Sequence, residues 1–202
     1  MEKLLVASTN PGKLVEIQDL IGSLGTRLEL LLPADLGLDL DVVEDGESYA
    51  ENAALKARAY FQASGLLTLA DDSGLEVAAL DGKPGLHSAR YAPQPGATDA
   101  DRRAYLLKNL AGLPRPWKAR FCCAVAIAAP DDSLRFSEGI CPGEIIPEER
   151  GTNGFGYDPI FLLPKLGKTM AELNMVQKNQ LSHRARAVHA AIPLLEEILH
   201  SS

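Results

Sequence analysis

The strongest constraint on the fold is that short apolar segments alternate with helix-periodic stretches in the amino-terminal part of the chain. Residues 3–7, 28–32 and 66–70 are apolar runs of strand length. Between them, apolar side chains recur at helical spacing over residues 14–24, and residues 48–51 have the capping-box pattern that begins a helix. Strands that alternate with helices in this way indicate an α/β fold.

The second half of the sequence adds a hairpin to this alternation. A helix is predicted over residues 98–110, and a last helix over residues 182–199. Residues 118–129 and 134–141 have the pattern of two strands joined by a short turn, which makes the predicted sheet mixed. A length of 202 residues suits one domain, so we predict a single domain over residues 1–202.

Composition and apolar run lengths bear on the kind of partner and on location. Lys and Arg number 20 against 27 Asp and Glu, a net charge of −7, which disfavours nucleic acid as the partner. The runs at residues 4–7 and 121–129 are shorter than a secretory signal or a membrane helix of about 20 residues requires. The cysteines Cys122, Cys123 and Cys141 have no metal-ligand spacing. We expect a soluble, cytoplasmic protein without a membrane partner.

A polar segment at the first strand–helix junction is the first candidate site. It combines hydroxyls, a glycine, a lysine and the amide groups of a helix start, a set that can bind phosphate; its residues are Ser8, Thr9, Asn10, Pro11, Gly12 and Lys13. The alternative is ordinary helix capping with Lys13 on a solvated face. The segment is not a Walker A loop, because Leu14 follows the lysine.

A pair of carboxylates after the strand at residues 66–70 is the second candidate. Asp71 and Asp72 are predicted to enter a tight turn, where they could hold Mg²⁺ and accept a proton from water. Side chains alternate along a strand, so we expect only one of the two to face a site. Glu44 and Glu47 could add a second carboxylate. A plain turn and a solvated acidic loop are the alternatives.

A glycine-rich aromatic loop and a basic helix start complete the candidates. Phe155 lies between two glycines and could stack on a purine, or it could pack with Tyr157 in the core of a strained turn. Lys178, His183 and Arg184 lie at the predicted start of the last helix, where positive charge opposes the helix dipole and therefore indicates a bound anion.

Taken together, six motifs resemble those of the inosine triphosphate pyrophosphatase family, which hydrolyses ITP, dITP and XTP to the monophosphate and pyrophosphate. They are STNPGK (8–13), ENAALKA (51–57), ADDSGLEV (70–77), GLHSARYA (85–92), GFGYDPIF (154–161) and SHRA (182–185). They cover nearly the whole chain in the family's order. Pro93 departs from the glycine that the family often has, a change we expect to affect only a loop.

The resemblance implies a role for each matching residue. It implies that Asp72 is the general base and a Mg²⁺ ligand, with Glu44 as the other protein ligand. Substrate binding would fall to the remaining motif residues: Ser8, Thr9, Asn10, Pro11, Gly12, Lys13, Lys56, Ser73, Phe155, Gly156, Tyr157, Asp158, Lys178, His183 and Arg184. The implied fold is an elongated mixed β-sheet flanked by helices, in two lobes around a central cleft, and the implied assembly is a homodimer.

Two other classes share part of this pattern. A regulatory module that binds nucleotides without turnover would not need the carboxylates of Glu44 and Asp72. A metal phosphatase that releases orthophosphate usually has more His and Asp ligands than a chain with four histidines suggests. A Mg²⁺-dependent purine nucleoside triphosphate pyrophosphatase is therefore the leading hypothesis.

Overall fold

A mixed sheet forms the framework of the protein in the computed structural model, which describes residues 2–22 and 28–201. Within these residues the sheet has eight strands in the order β2-β1-β3-β5-β6-β7-β8, with β4 paired to β3. The strands are β1 (Glu2–Val6), β2 (Leu28–Leu31), β3 (Leu67–Val77), β4 (Pro84–Gly85), β5 (Trp117–Ala128), β6 (Leu134–Ile145), β7 (Phe161–Leu163) and β8 (Lys168–Thr169).

Strand direction explains why the sheet is mixed. β1 runs parallel to β2 and to β3, whereas β4, β7 and β8 pair antiparallel with β3, β6 and β7, respectively. The described helices are α1 (Pro11–Gly22), α2 (Tyr49–Ser64), α3 (Asp99–Leu110), α4 (Met175–Leu181) and α5 (His183–Ser201). The predicted α/β fold, a mixed sheet flanked by helices, is confirmed.

Helix starts follow the local capping signals. The Ser48 side chain accepts a hydrogen bond from the amide of Glu51 at the start of α2. Thr98 and Asp101 form a reciprocal capping box at the start of α3. Such caps satisfy amide groups that the first helical turn leaves without a partner. The predicted positions of these helices are therefore confirmed.

The turn predicted at residues 71–74 is wrong, because β3 continues through it to Val77. β3 lies between β1 and β5 in the sheet, and β1 pairs with residues 67–69 and β4 with residues 75–76. Leu75 and Val77 continue the buried apolar side chains beyond the polar residues. Asp71 and Asp72 consequently lie within a strand rather than at its carboxyl end. The sequence analysis also did not predict β4, β8 and α4, which are all short.

The described chain divides into two compact units. The first comprises residues within 1–72, 123–139 and 183–202, and the second comprises residues 73–122 and 140–182. In the first unit, alternate β1 side chains pack on opposite faces of the sheet. Leu4 and Val6 belong to a core with α1 and α5, whereas Leu5 and Ala7 belong to a core with α2. This unit therefore has helices on both faces of its strands.

The second unit has a core of its own. Leu75 and Val77 of β3 pack there with Leu106 and Leu110 of α3. The rings of Phe121 and Phe161 add an aromatic contact, with centroids 4.3 Å apart. The single domain over residues 1–202 stays a prediction.

Two findings bear on the predicted location. The three cysteines are buried, and none of them forms a disulfide within the described part of the chain. Among the described residues, no helix has both the length and the apolar character needed to cross a bilayer.

We predict that Gly139→Ala destabilises the first unit. A Cβ at this position would lie 2.1 Å from the carbonyl oxygen of His183 and 2.5 Å from the amide nitrogen of Ala187, both backbone atoms of α5. The free energy of unfolding should fall by about 2–3 kcal/mol in urea titrations, because a packed interior relieves overpacking poorly. Gly22→Ala is the matched control, since no atom of the described residues beyond its chain neighbours lies within 4 Å of its added Cβ. Equal stability of the two variants would contradict the prediction.

Candidate active site

Neighbouring carboxylates on β3 point to opposite faces of the first unit, as strand alternation predicts. Asp71 contacts Lys13 of α1 and Arg184 of α5. Asp72 instead accepts a hydrogen bond from Asn52 of α2. The two aspartates therefore have different partners although they are adjacent in sequence.

A buried ion cluster surrounds Asp71. Its Oδ2 lies 3.2 Å from Nε of Arg184 and 3.1 Å from Nζ of Lys13. Arg184 also pairs with the carboxylate of Glu16, and Asp71, Arg184 and Glu16 are 1%, 1% and 3% exposed. Burial opposes the charge of Asp71, but Lys13, Arg184 and Lys56 outweigh it and hold its pKa well below the usual range. The carboxylates of Asp71 and Glu16 raise the pKa of Arg184, although its burial acts in the opposite direction.

This cluster shows what neutralises the positive charge at the start of α5. The dipole argument requires an anion at Arg184, and Glu16 and Asp71 of the protein itself supply it. The charge of Arg184 is thus no evidence for a bound ligand. Its contact with a nucleobase stays a prediction.

Asn52 links Asp72 to the loop that carries Glu44. Its Nδ2 donates to Oδ2 of Asp72 at 3.1 Å, and its Oδ1 accepts from the amide of Gly46 at 2.9 Å. The sequence analysis did not single out Asn52. A usable signal was present, because Asn52 lies four residues before Lys56 and therefore on the same face of α2.

Lys56 connects the loop that carries Glu44 to the part of β3 that carries Asp71 and Asp72. Its Nζ lies 3.1 Å from Oε1 of Glu44 and donates to the backbone carbonyl of Asp71 at 3.0 Å. Burial lowers the pKa of Lys56, but Asp71, Glu44 and Asp72 outweigh this effect and raise it. Lys56 is therefore not on a solvated face of α2, because its ammonium group contacts two other segments of the protein.

The environment of Asp72 favours proton uptake. Burial raises its pKa and Glu44 adds to the rise, whereas Lys13, Lys56 and the hydrogen bond from Asn52 act in the opposite direction. A carboxylate with a raised pKa is a better proton acceptor than an ordinary aspartate. Asp72 thus has the electrostatic character that a general base requires.

Glu44 and Asp72 also fit a magnesium site. Mg²⁺ usually uses one or two protein carboxylates and takes its other ligands from water and substrate phosphates. Over residues 2–22 and 28–201, no group of three or more His, Cys, Asp or Glu side chains could hold a metal ion. A two-carboxylate site completed by substrate agrees with both facts.

The helix start at Asn10 supports the capping alternative. Oδ1 of Asn10 accepts from the amides of Gly12 and Lys13 at 2.9 and 3.2 Å, and Ser8 accepts from the amide of Asn10 at 3.3 Å. Thr9 and Pro11 are exposed. Lys13 is not on a solvated face, since it pairs with Asp71. Phosphate binding by this segment stays a prediction.

The glycine-rich loop of the second unit is organised by Asp158. Its Oδ2 accepts from the amide of Phe155 at 3.1 Å and from Nζ of Lys178 at 2.6 Å. The same Nζ lies 5.3 Å from the centroid of the Phe155 ring, within the range of a cation–π contact. Phe155 is half-buried, so one part of its ring surface remains accessible.

Tyr157 belongs to the core of the second unit, as the alternative of a packed turn predicts. Its hydroxyl donates to the backbone carbonyl of Ser88 at 2.9 Å, and burial raises its pKa. Lys178 is not at the start of the last helix, because it lies in the last turn of the separate helix α4. His183 is the first residue of α5 and is buried, and Ser73 lies on β3 directly after Asp72.

We predict that Arg184→Met lowers the free energy of unfolding by about 3–5 kcal/mol, since it removes the guanidinium group that pairs with both Glu16 and Asp71 in the interior. Urea titration followed by circular dichroism would measure the loss. Arg120→Met is the matched control, because its 54% exposed side chain pairs with Glu76. Surface ion pairs of that kind contribute about 0–1 kcal/mol. Similar losses in the two variants would contradict a stabilising role for the buried cluster.

Comparison with known proteins identifies relatives of nearly full length. A protein named dITP/XTP pyrophosphatase from Synechocystis sp. is 48% identical over 193 residues, which is 95% of this chain and 94% of that protein. The structure of the Staphylococcus aureus Ham1 protein superposes with a TM-score of 0.85 at 39% identity, covering 97% of this chain and 99% of the other. A HAM1 protein from Coxiella burnetii gives a TM-score of 0.87 at 39% identity, covering 98% and 100%.

The family assignment agrees with the motifs. The model of the Ham1 family matches residues 4–194, a range that contains all six motifs. The resemblance stated from the sequence is therefore confirmed, and the chain belongs to the Ham1 family.

Proposed function

We propose that this protein hydrolyses the non-standard purine nucleoside triphosphates ITP, dITP and XTP to the monophosphate and pyrophosphate, which removes them from the nucleotide pool. The observation that carries the proposal is the arrangement of Glu44, Asn52 and Lys56 around Asp72. The name dITP/XTP pyrophosphatase of the Synechocystis relative supports the substrate class.

In the proposed reaction, water attacks the α phosphorus. A bond forms between the water oxygen and this phosphorus, and the bond from the phosphorus to the bridging oxygen of the β phosphate breaks. Asp72 accepts the proton of the water, and pyrophosphate leaves with the electron pair of the broken bond. Asn52 orients Asp72 by donating a hydrogen bond to its Oδ2.

Charge neutralisation of the triphosphate is the second requirement. Glu44 and Asp72 would hold Mg²⁺, which neutralises phosphate charge when bound. Lys13 and Lys56 bring two further positive charges beside Asp72, since both interact with Asp71 and both lower the pKa of Asp72. We propose that they contact phosphate oxygens and stabilise the leaving pyrophosphate.

Recognition of the base follows from hydrogen-bond complementarity. Hypoxanthine and xanthine present an acceptor at position 6 and a donor at N1, whereas adenine presents the reverse at both positions. A donor that faces position 6 combined with an acceptor that faces N1 would exclude ATP, because buried groups would be left without partners. Phe155 supplies a ring surface for stacking.

The location and the assembly belong to the same proposal. A substrate drawn from the nucleotide pool favours a cytoplasmic enzyme. The homodimer is carried over from the family, and light scattering coupled to gel filtration would test it.

We predict that the wild-type protein releases pyrophosphate from ITP, dITP and XTP and that a chelator removes the activity, because without a cation the carboxylates of Glu44 and Asp72 would repel the triphosphate. Pyrophosphate and orthophosphate release should be measured in parallel, with GTP and ATP assayed separately for comparison. Orthophosphate as the first product would indicate a phosphatase. Tight binding of ITP without turnover would indicate a regulatory protein.

We further predict that Asp72→Asn lowers kcat by about 10²–10⁴-fold, the range that general-base catalysis contributes, while the protein stays folded. The amide cannot accept the proton of the attacking water. Asp132→Asn is the matched control, because Asp132 is an exposed residue of the turn between β5 and β6. Retention of most of the activity by Asp72→Asn would remove Asp72 as the base.

A further inference from the structure

A pair of charged residues on α3 binds the backbone on both sides of Gly156 in the second unit. Oδ2 of Asp99 accepts from the amide of Gly156 at 2.7 Å, and Nη1 of Arg103 donates to the carbonyl of Gly156 at 2.9 Å. Neither Asp99 nor Arg103 belongs to a family motif quoted above. We propose that Asp99 and Arg103 are positioning residues that hold Phe155 for stacking on the purine base, an inference that rests on the proposed function.

The contacts fix the peptide that follows Phe155 as well as the residue itself. The amide of Phe155 donates to Asp158, and the amide of Asp158 donates to the carbonyl of Phe155 at 3.2 Å. The next amide, that of Gly156, is the one bound by Asp99. Three consecutive polar backbone groups that flank the Phe155 ring are therefore occupied, and one of them depends on α3.

The loop needs such external support because Gly154 and Gly156 flank Phe155, and glycine restricts the backbone least of all residues. Both glycines have positive φ angles, 76° and 60°. Without partners outside the loop, the ring would sample many positions, and ordering it would cost binding free energy. Asp99 and Arg103 supply these partners from a regular helix.

Each of the two side chains is itself held by an ion pair. Asp99 pairs with Arg102, whose Nη1 also donates to the carbonyls of Ala89 and Ala97 at 3.2 and 2.7 Å. Arg103 makes a bidentate pair with Glu149 at 2.8 and 3.0 Å. Charged partners make hydrogen bonds that are stronger than neutral ones.

These contacts also give the GLHSARYA motif a role. Ala89 and Ser88 belong to this motif, and their carbonyls bind Arg102 and the hydroxyl of Tyr157, respectively. Helix α3, residues 88–89 and residues 154–158 thus form one connected polar network within the second unit. We infer that the motif supports the base-binding loop rather than the reacting phosphates.

The test separates base binding from phosphate binding. In Asp99→Ala and Arg103→Gln, we expect KM for ITP and the dissociation constant of inosine monophosphate to rise about tenfold, equivalent to about 1.4 kcal/mol. The inhibition constant of inorganic pyrophosphate, which has no base, should stay within about twofold, as should kcat. Asp99→Asn should recover part of the loss, because its amide oxygen can still accept from Gly156.

A double-mutant cycle tests whether the two residues act on the same element. The combined variant should lose less affinity for inosine monophosphate than the product of the single effects, since either change releases the same backbone. Arg120→Gln is the matched control, because it breaks an arginine–glutamate pair between β5 and β3 of the same unit. Its constants should equal those of the wild type.

Several outcomes would overturn the inference. An unchanged affinity for inosine monophosphate would do so, as would an equal weakening of inosine monophosphate and pyrophosphate, which indicates a general loss of structure. Calorimetric binding of the monophosphate does not require turnover. An inactive wild type would therefore overturn the proposed function alone, and an inactive wild type that also fails to bind inosine monophosphate would overturn both.

Discussion

The ion cluster at Asp71 is the interaction on which the first unit's site depends. A buried carboxylate within a strand can stay charged only if cations reach it, and here Lys13 and Arg184 come from helices on the same face. Glu16 balances the second charge of this group. The cluster therefore joins α1 and α5 to β3 and holds the ammonium group of Lys13, which we propose contacts a phosphate oxygen.

On the opposite face the same strand produces the opposite electrostatic result. Burial and then the neighbouring carboxylate of Glu44 raise the pKa of Asp72, whereas Lys13, Arg184 and Lys56 lower that of Asp71 against its burial. Two adjacent carboxylates with divergent pKa values can serve different purposes, one structural and one chemical. Strand alternation makes this possible without any turn.

In the second unit, charged residues hold the glycine-rich loop that carries the aromatic ring of Phe155. Asp158 and Lys178 bind the loop from within and from α4, and Asp99 and Arg103 bind it from α3. All four are charged groups that contact the loop at few atoms. A loop with two flexible glycines thereby has a defined backbone conformation.

The sequence by itself determined the helix starts at Ser48 and Thr98, the hairpin strands and the family, because caps, periodicity and motifs are local properties. Only the tertiary structure decided that β3 continues past Asp72, since the end of a strand depends on the neighbours that pair with it. It also decided that Arg184 is paired within the protein and that Asn52 and Glu16 belong to the site. Such partners are distant in sequence, and no local pattern predicts which carboxylate will pair with a buried cation.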